Sequence, residues 1–219
     1  MINSMYNHLS AGKTIAFICL VLMVNISGAQ VHSGRSFREL SGPEKRWVII
    51  HPFVAKKAWK ITQLARQETN KISEDPRLDH DGNGGQVDAF RHAYWMALLS
   101  QQICWKKARS LGKAHEKGNF LNFKKHRLEE NSLPDSMASV MDMYNNNFGI
   151  ELSRKNKYLV SDSLKELIIM EILSGNLRML WKNENGKFLD CSGDEVPLED
   201  KPIVWNRPRC LVPSNTGRK

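Results

Sequence analysis

Residues 87–99 read Val87-Asp88-Ala89-Phe90-Arg91-His92-Ala93-Tyr94-Trp95-Met96-Ala97-Leu98-Leu99. Every position from Ala93 to Leu99 is apolar, so a helix here is apolar on all sides and belongs at the centre of a core. The pattern predicts one helix from Val87 to about Leu111, with Gly112 as its stop and Cys104 as a buried thiol. The same helix opens with Asp88, Arg91 and His92. An acid, a base and a cation at the start of the most buried helix are costly unless they are paired.

The flanking segments are helical as well. Pro43 suits the first turn of a short helix to Ile50. Pro52 restarts the chain, and Phe53, Ala55, Trp59, Ile61, Leu64 and Ala65 fit an amphipathic helix to about Ile72. Residues 73–86 form a Gly- and Asp-rich loop. After Gly112 a polar helix covers about Ala114 to Glu130. Pro134-Asp135 opens another, which Gly149 ends after Phe148. Ser163 and Glu166 have capping-box spacing and open a helix to about Leu173, stopped by Gly175. Asn185-Gly186 sits between Leu177–Trp181 and Lys187–Cys191, a two-residue hairpin signal. The expected fold is mainly α, a single-domain bundle of five or six helices with a small C-terminal β-hairpin. Residues 30–42 read as a polar lead-in, 43–191 as the helical domain and 192–219 as an irregular basic tail.

Three segments carry the candidate chemistry. Asp88 and His92 are four apart and share a helix face, with Arg91 beside them and Trp95 near the same stripe. His115-Glu116 opens the next helix. Asp142 and Asn146 are again four apart, with Asn145 adjacent. Mixed His and carboxylate groups from facing helices are how bundles build metal sites. Asp88, His92, His115 and Asp142 are the candidate ligands of a divalent ion (Zn, Mn or Ca), which would turn bound water into a nucleophile near neutral pH. His115 or Glu116 would then act as general base. Without a metal, Asp88 orients His92 as acid/base, with Arg91 and Asn146 holding an anionic or carbonyl group. Two other readings stay open. The same residues serve as a buried network that registers the helices, or as an anion-binding module. The chain has no HExxH, GxSxG or phosphate-binding Gly-rich loop.

The loop Asp79-His80-Asp81-Gly82-Asn83-Gly84 fits the first half of a calcium loop, with Asp79, Asp81 and Asn83 as oxygen donors. Its twelfth position is Phe90 rather than Glu, which leaves Asp88 at position ten as a substitute. The alternative is an Asx- and Gly-rich turn that caps the central helix.

In order, Asn83 to Trp95, His115-Glu116 and Met141 to Gly149 form the pattern NGxxxDAFRHAYW, HE, MDxYNNxxG. It resembles an uncharacterised bacterial helical domain of secreted proteins and of the C-termini of large, toxin-like secreted chains. The resemblance covers roughly Pro43 to Gly186 and brings no established activity. It implies that Asp88, Arg91, His92, Trp95, His115, Glu116, Asp142, Asn145 and Asn146 belong to one site. The Asp79–Asn83 lead-in and the Cys-containing tail depart from the pattern, so it implies neither calcium nor a disulfide.

The N-terminus speaks to compartment. Lys13 precedes ten apolar residues, Ile15 to Val24, and then Ser27-Gly28-Ala29. That is the order of a secretory signal peptide, with cleavage expected between Ala29 and Gln30 and an uncleaved anchor as the alternative. A secreted or periplasmic protein is expected, with no membrane-spanning run in the mature chain. Cys191 and Cys210 are then the plausible disulfide pair. The 219 residues carry 32 Lys+Arg against 23 Asp+Glu, a net charge of +9, and removal of residues 1–29 leaves +8. Most of this excess reads as solvated helix faces. It fits an anionic envelope component or a small-molecule substrate as partner, with no specific nucleic-acid signal.

Overall fold

The computed structural model places α3, Gln86–Ile103, at the middle of the molecule, packed against four other helices. Ala89, Phe90, Ala93, Met96, Ala97 and Leu99 on it have no exposed surface. The all-round apolar pattern thus becomes a helix buried on nearly every side from Val87 to Leu99, with only Arg91 and Trp95 part-exposed there. The structure describes residues 37–128, 133–197 and 204–217. The signal-peptide reading of residues 1–29 and most of the polar lead-in lie outside them. Among the described residues no helix is long and apolar enough to cross a membrane.

Around α3 stand α1 (Gly42–Ile50), α2 (Pro52–Ile72), α4 (Trp105–Lys124), α5 (Ser136–Lys155) and α6 (Ser161–Leu173). The fold is mainly α, as the periodicity predicts. Ser41 caps α1 in a capping box with Glu44, and Asp135 caps α5 by accepting from the Ala138 N–H. Both satisfy backbone donors that a helix N-terminus leaves over.

The structure differs from the sequence expectation where backbone chemistry overrides periodicity. The helix expected over 87–111 is broken at Cys104, which has a φ of 84°. Cys104 is exposed rather than buried. Glycines read as stops lie inside helices. Gly112 continues α4, and Gly149 continues α5 at its crossing with α3, where a Cβ would run into the Ala93 carbonyl. Glycine here permits close helix approach instead of ending a helix. Helix α6 starts earlier than the Ser163 box suggests, after Val160, and the Glu166 carboxylate takes Arg77 instead at 2.7 Å.

Strand β1, Arg178–Leu180, pairs antiparallel with β2, Leu211–Pro213, so the tail read as irregular supplies the ladder partner. The Asn185-Gly186 turn does form, but Lys182 and Phe188 make only an isolated bridge across it. The Cys191–Cys210 disulfide fastens this unit. The tail also reaches the bundle, where buried Arg209 pairs with buried Asp135 at 2.6 Å.

Candidate functional site

Three helices deliver the polar cluster. The first two turns of α3 bring Asp88, Arg91 and His92, α5 brings Asp142 and Asn146, and α4 brings His115. His92 Nε2 lies 3.3 Å from Asp88 Oδ1 and 3.2 Å from Asp142 Oδ1. Its other ring nitrogen, Nδ1, is 3.3 Å from Asn146 Oδ1. Nδ1 thus meets an amide oxygen, and Nε2 points between the two carboxylates. Asp88, His92 and Asp142 are all buried, and their ligand atoms fall within 4.8 Å of one another. This group can hold a metal ion.

Arg91 borders the same point. Its Nη2 is 2.6 Å from Asp88 Oδ1 and 3.4 Å from His92 Nε2. The other Asp88 oxygen accepts from the Gly84 N–H at 2.6 Å. Burial raises the Asp88 pKa, but Arg91, His92 and the Gly84 hydrogen bond outweigh it and hold the carboxyl ionised below its ordinary range. The Gly84 loop is fixed in turn, since the Gly84 carbonyl accepts from the Leu180 N–H of β1.

A second pair stands beside the first. His115 Nδ1 is 3.0 Å from Glu44 Oε1, and Ser41 N–H donates to Glu44 Oε2 at 2.7 Å. The His92 and His115 rings are 6.4 Å apart, and Trp95 meets His115 edge-on at 5.5 Å. Glu44 comes from outside the three motifs. The spacing Ser41-x-x-Glu44 is a readable capping box, but nothing in it signals that the same carboxylate reaches a histidine 71 positions away.

Two cavities open on this cluster. A polar one of about 40 Å³ is lined by Asp88, Asn119, Ser139 and Asp142. A largely apolar one of about 90 Å³ lies among Val48, Ala58, Trp59, Trp95 and Leu111. Arg91, His92 and His115 line both, so the basic groups stand where the two cavities meet.

A family model described as a domain of unknown function, DUF6973, matches residues 45–176. The chain belongs to that family. No curated protein and no solved structure matches it. Within the DUF6973 span lie Asp88, Arg91, His92, Trp95, His115, Asp142 and Asn146, all in or beside the cluster. Glu44 falls one residue before the span.

The remaining candidates have other partners. Glu116 is buried and accepts from Asn119 at 3.3 Å. Asn145 gives both amide atoms to the backbone of Arg178, accepting at 3.0 Å and donating at 2.9 Å, and so holds β1 onto α5. In the Asp79–Asn83 loop the cation is an ammonium. Lys182 donates to Asp81 and to the Asn83 carbonyl, while Asp79 accepts from the Asp81 and Gln86 N–H groups. These contacts tie the loop to the start of α3 and to the segment after β1.

Proposed function

We propose that this DUF6973 chain is an exported, metal-assisted hydrolase. The observation that carries it is the convergence of three lone-pair donors, His92 Nε2 and the two Oδ1 atoms of Asp88 and Asp142. Ligands about 2.1 Å from an ion in tetrahedral array sit about 3.4 Å apart; the two separations from His92 Nε2 are 3.2 and 3.3 Å, and the three donors together lie within 4.8 Å. Asn146 is then the outer partner that fixes the ligand's tautomer. An ion bound there would lower the pKa of bound water and polarise a carbonyl or phosphoryl oxygen. His115, oriented by Glu44, serves as general base or acid. Two carboxylates and one guanidinium carry a net −1, which a divalent ion turns to +1. Such a site favours a substrate that develops negative charge.

The test is metal content and heat stability after chelation. Titration with Zn²⁺, Mn²⁺ or Ca²⁺ is expected to restore one ion per chain and raise Tm. His92→Ala and Asp142→Asn are expected to abolish both effects. If none of the three ions binds or shifts Tm, the metal reading is wrong. A screen of phosphodiesters, esters and peptidoglycan then follows, in which His92→Ala must be inactive.

One observation favours a second reading. Arg91 already brings a positive charge to within 3.4 Å of His92 Nε2, which supports a metal-free network that registers α3 against α5.

Export rests on the order of residues 13–30, and the Cys191–Cys210 bridge supports it, because such bridges persist in oxidising compartments. N-terminal sequencing of protein recovered outside the cytoplasm should start at Gln30. Retention of Met1 in that material would refute cleavage.

A further inference from the structure

Helices α1 and α2 meet at His51-Pro52, and the corner they make is apolar on the outside. Ile49, Ile50 and Phe53 are all exposed, Phe53 completely. Ile49 and Ile50 share a stripe with exposed Arg46 at i, i+3 and i+4. Phe53, Lys56, Lys57, Lys60 and Leu64 form the matching stripe on α2, at i, i+3, i+4, i+7 and i+11. The opposite face of α2 is the core face, with Ala58, Ile61, Ala65 and Ile72 buried.

The charge here is one-signed. Between Glu44 and Glu68 the chain has six Lys and Arg and no acid. Arg46, Lys56, Lys57 and Lys60 take part in no salt bridge among the described residues. Scattered exposed apolar residues need no explanation, but three at one corner, ringed by four unpaired cations, do.

We infer that this corner docks the protein on an anionic lipid surface. The apolar tips enter the boundary between headgroups and acyl chains, and the lysines lie at the level of the lipid phosphates. Lys stems cover apolar surface while their ammonium groups stay in water, which suits such an interface. A second copy of the same face would oppose cation to cation. A nucleic acid would pair with the lysines but leave Ile49, Ile50 and Phe53 nothing apolar to bury against. Val48, Ala55 and Trp59 on the same two helices wall the apolar cavity that reaches His92. Docking therefore holds that cavity's wall next to the membrane, whether or not the site is a hydrolase.

The test is co-sedimentation of the full chain with phosphatidylcholine vesicles, with and without phosphatidylglycerol. Each lysine near an anionic surface adds about fivefold in binding. Binding is expected to be at least about tenfold stronger with phosphatidylglycerol and to weaken with salt. The pair Ile49→Ser and Phe53→Ser is expected to lower it about tenfold or more, and the triple Lys56→Glu, Lys57→Glu, Lys60→Glu to bring it to the level of neutral vesicles. All five side chains are exposed, so an unchanged Tm will show that the variants fold. Residues 1–29 are common to every protein compared, so the difference between wild type and variant reads the corner. Either variant binding like wild type overturns the inference. So does RNA binding that needs the lysines but not Ile49 and Phe53, or a dimer that Ile49→Ser and Phe53→Ser disperse.

Discussion

Gly149→Ala is expected to prevent the native fold, with a loss above about 4 kcal/mol and no cooperative unfolding transition. The added methyl has no flexible neighbour to displace. It meets the backbone carbonyl of Ala93 on α3, itself held in an enclosed helix. Separating α3 from α5 by the needed distance would also open the Asp88–His92–Asp142 cluster, which spans the same two helices. Gly112→Ala is the control. Its new methyl would meet the Met96 sulfur and the Asn146 amide at 3.4 Å, an ordinary contact with side chains. Alanine gains helix propensity there, so the net change should stay within about 1 kcal/mol. Circular dichroism with thermal melting of both variants checks the pair. Equal Tm values would refute the close-crossing account.

The second large effect is on acid stability. Burial raises the Glu44 pKa, but hydrogen bonding and charge from His115, with the hydrogen bonds from Ser41, outweigh it and take it from 4.5 to about 2. A depressed carboxyl pKa stabilises the fold fully above the unfolded value, near 4.5, and loses that contribution as pH falls towards 2. The difference corresponds to about 3 kcal/mol lost between about pH 5 and pH 2. Glu44→Gln should be less stable than wild type at pH 7 and show a shallower decline on acidification. Asp75 and Asp88, whose pKa values are also lowered, contribute equally to both proteins. Denaturant unfolding at several pH values measures the two slopes, and parallel curves would show that the His115–Glu44 pair has no such role.

The existence of the helices was readable because burial of a stripe or of a whole helix leaves a period in the sequence, as Ala93 to Leu99 shows. The glycines were not readable in the same way. A glycine that ends a helix and one that admits a neighbouring carbonyl look alike until the neighbour is known, which is why Gly149 reads as a stop. The break at Cys104 has no sequence signal at all, since a cysteine with positive φ is unusual. In the site, Asp88, His92, Asp142 and Asn146 could be grouped because i, i+4 spacing puts them on inward faces. Glu44 could not, because its reach to His115 depends on how α1 lies on α4. Asn145, adjacent to Asn146 and three residues from Asp142, turns instead to the Arg178 backbone.

Lys182 lies beyond residue 176, where the family match ends, yet it pairs with Asp81 in the loop that delivers Asp88. In this chain the matched segment carries an anionic turn, and the counter-charge arrives from a later segment fastened by its own disulfide. The two segments are separate in sequence but form one electrostatic unit, and where the family match stops is not where the working part of this molecule stops.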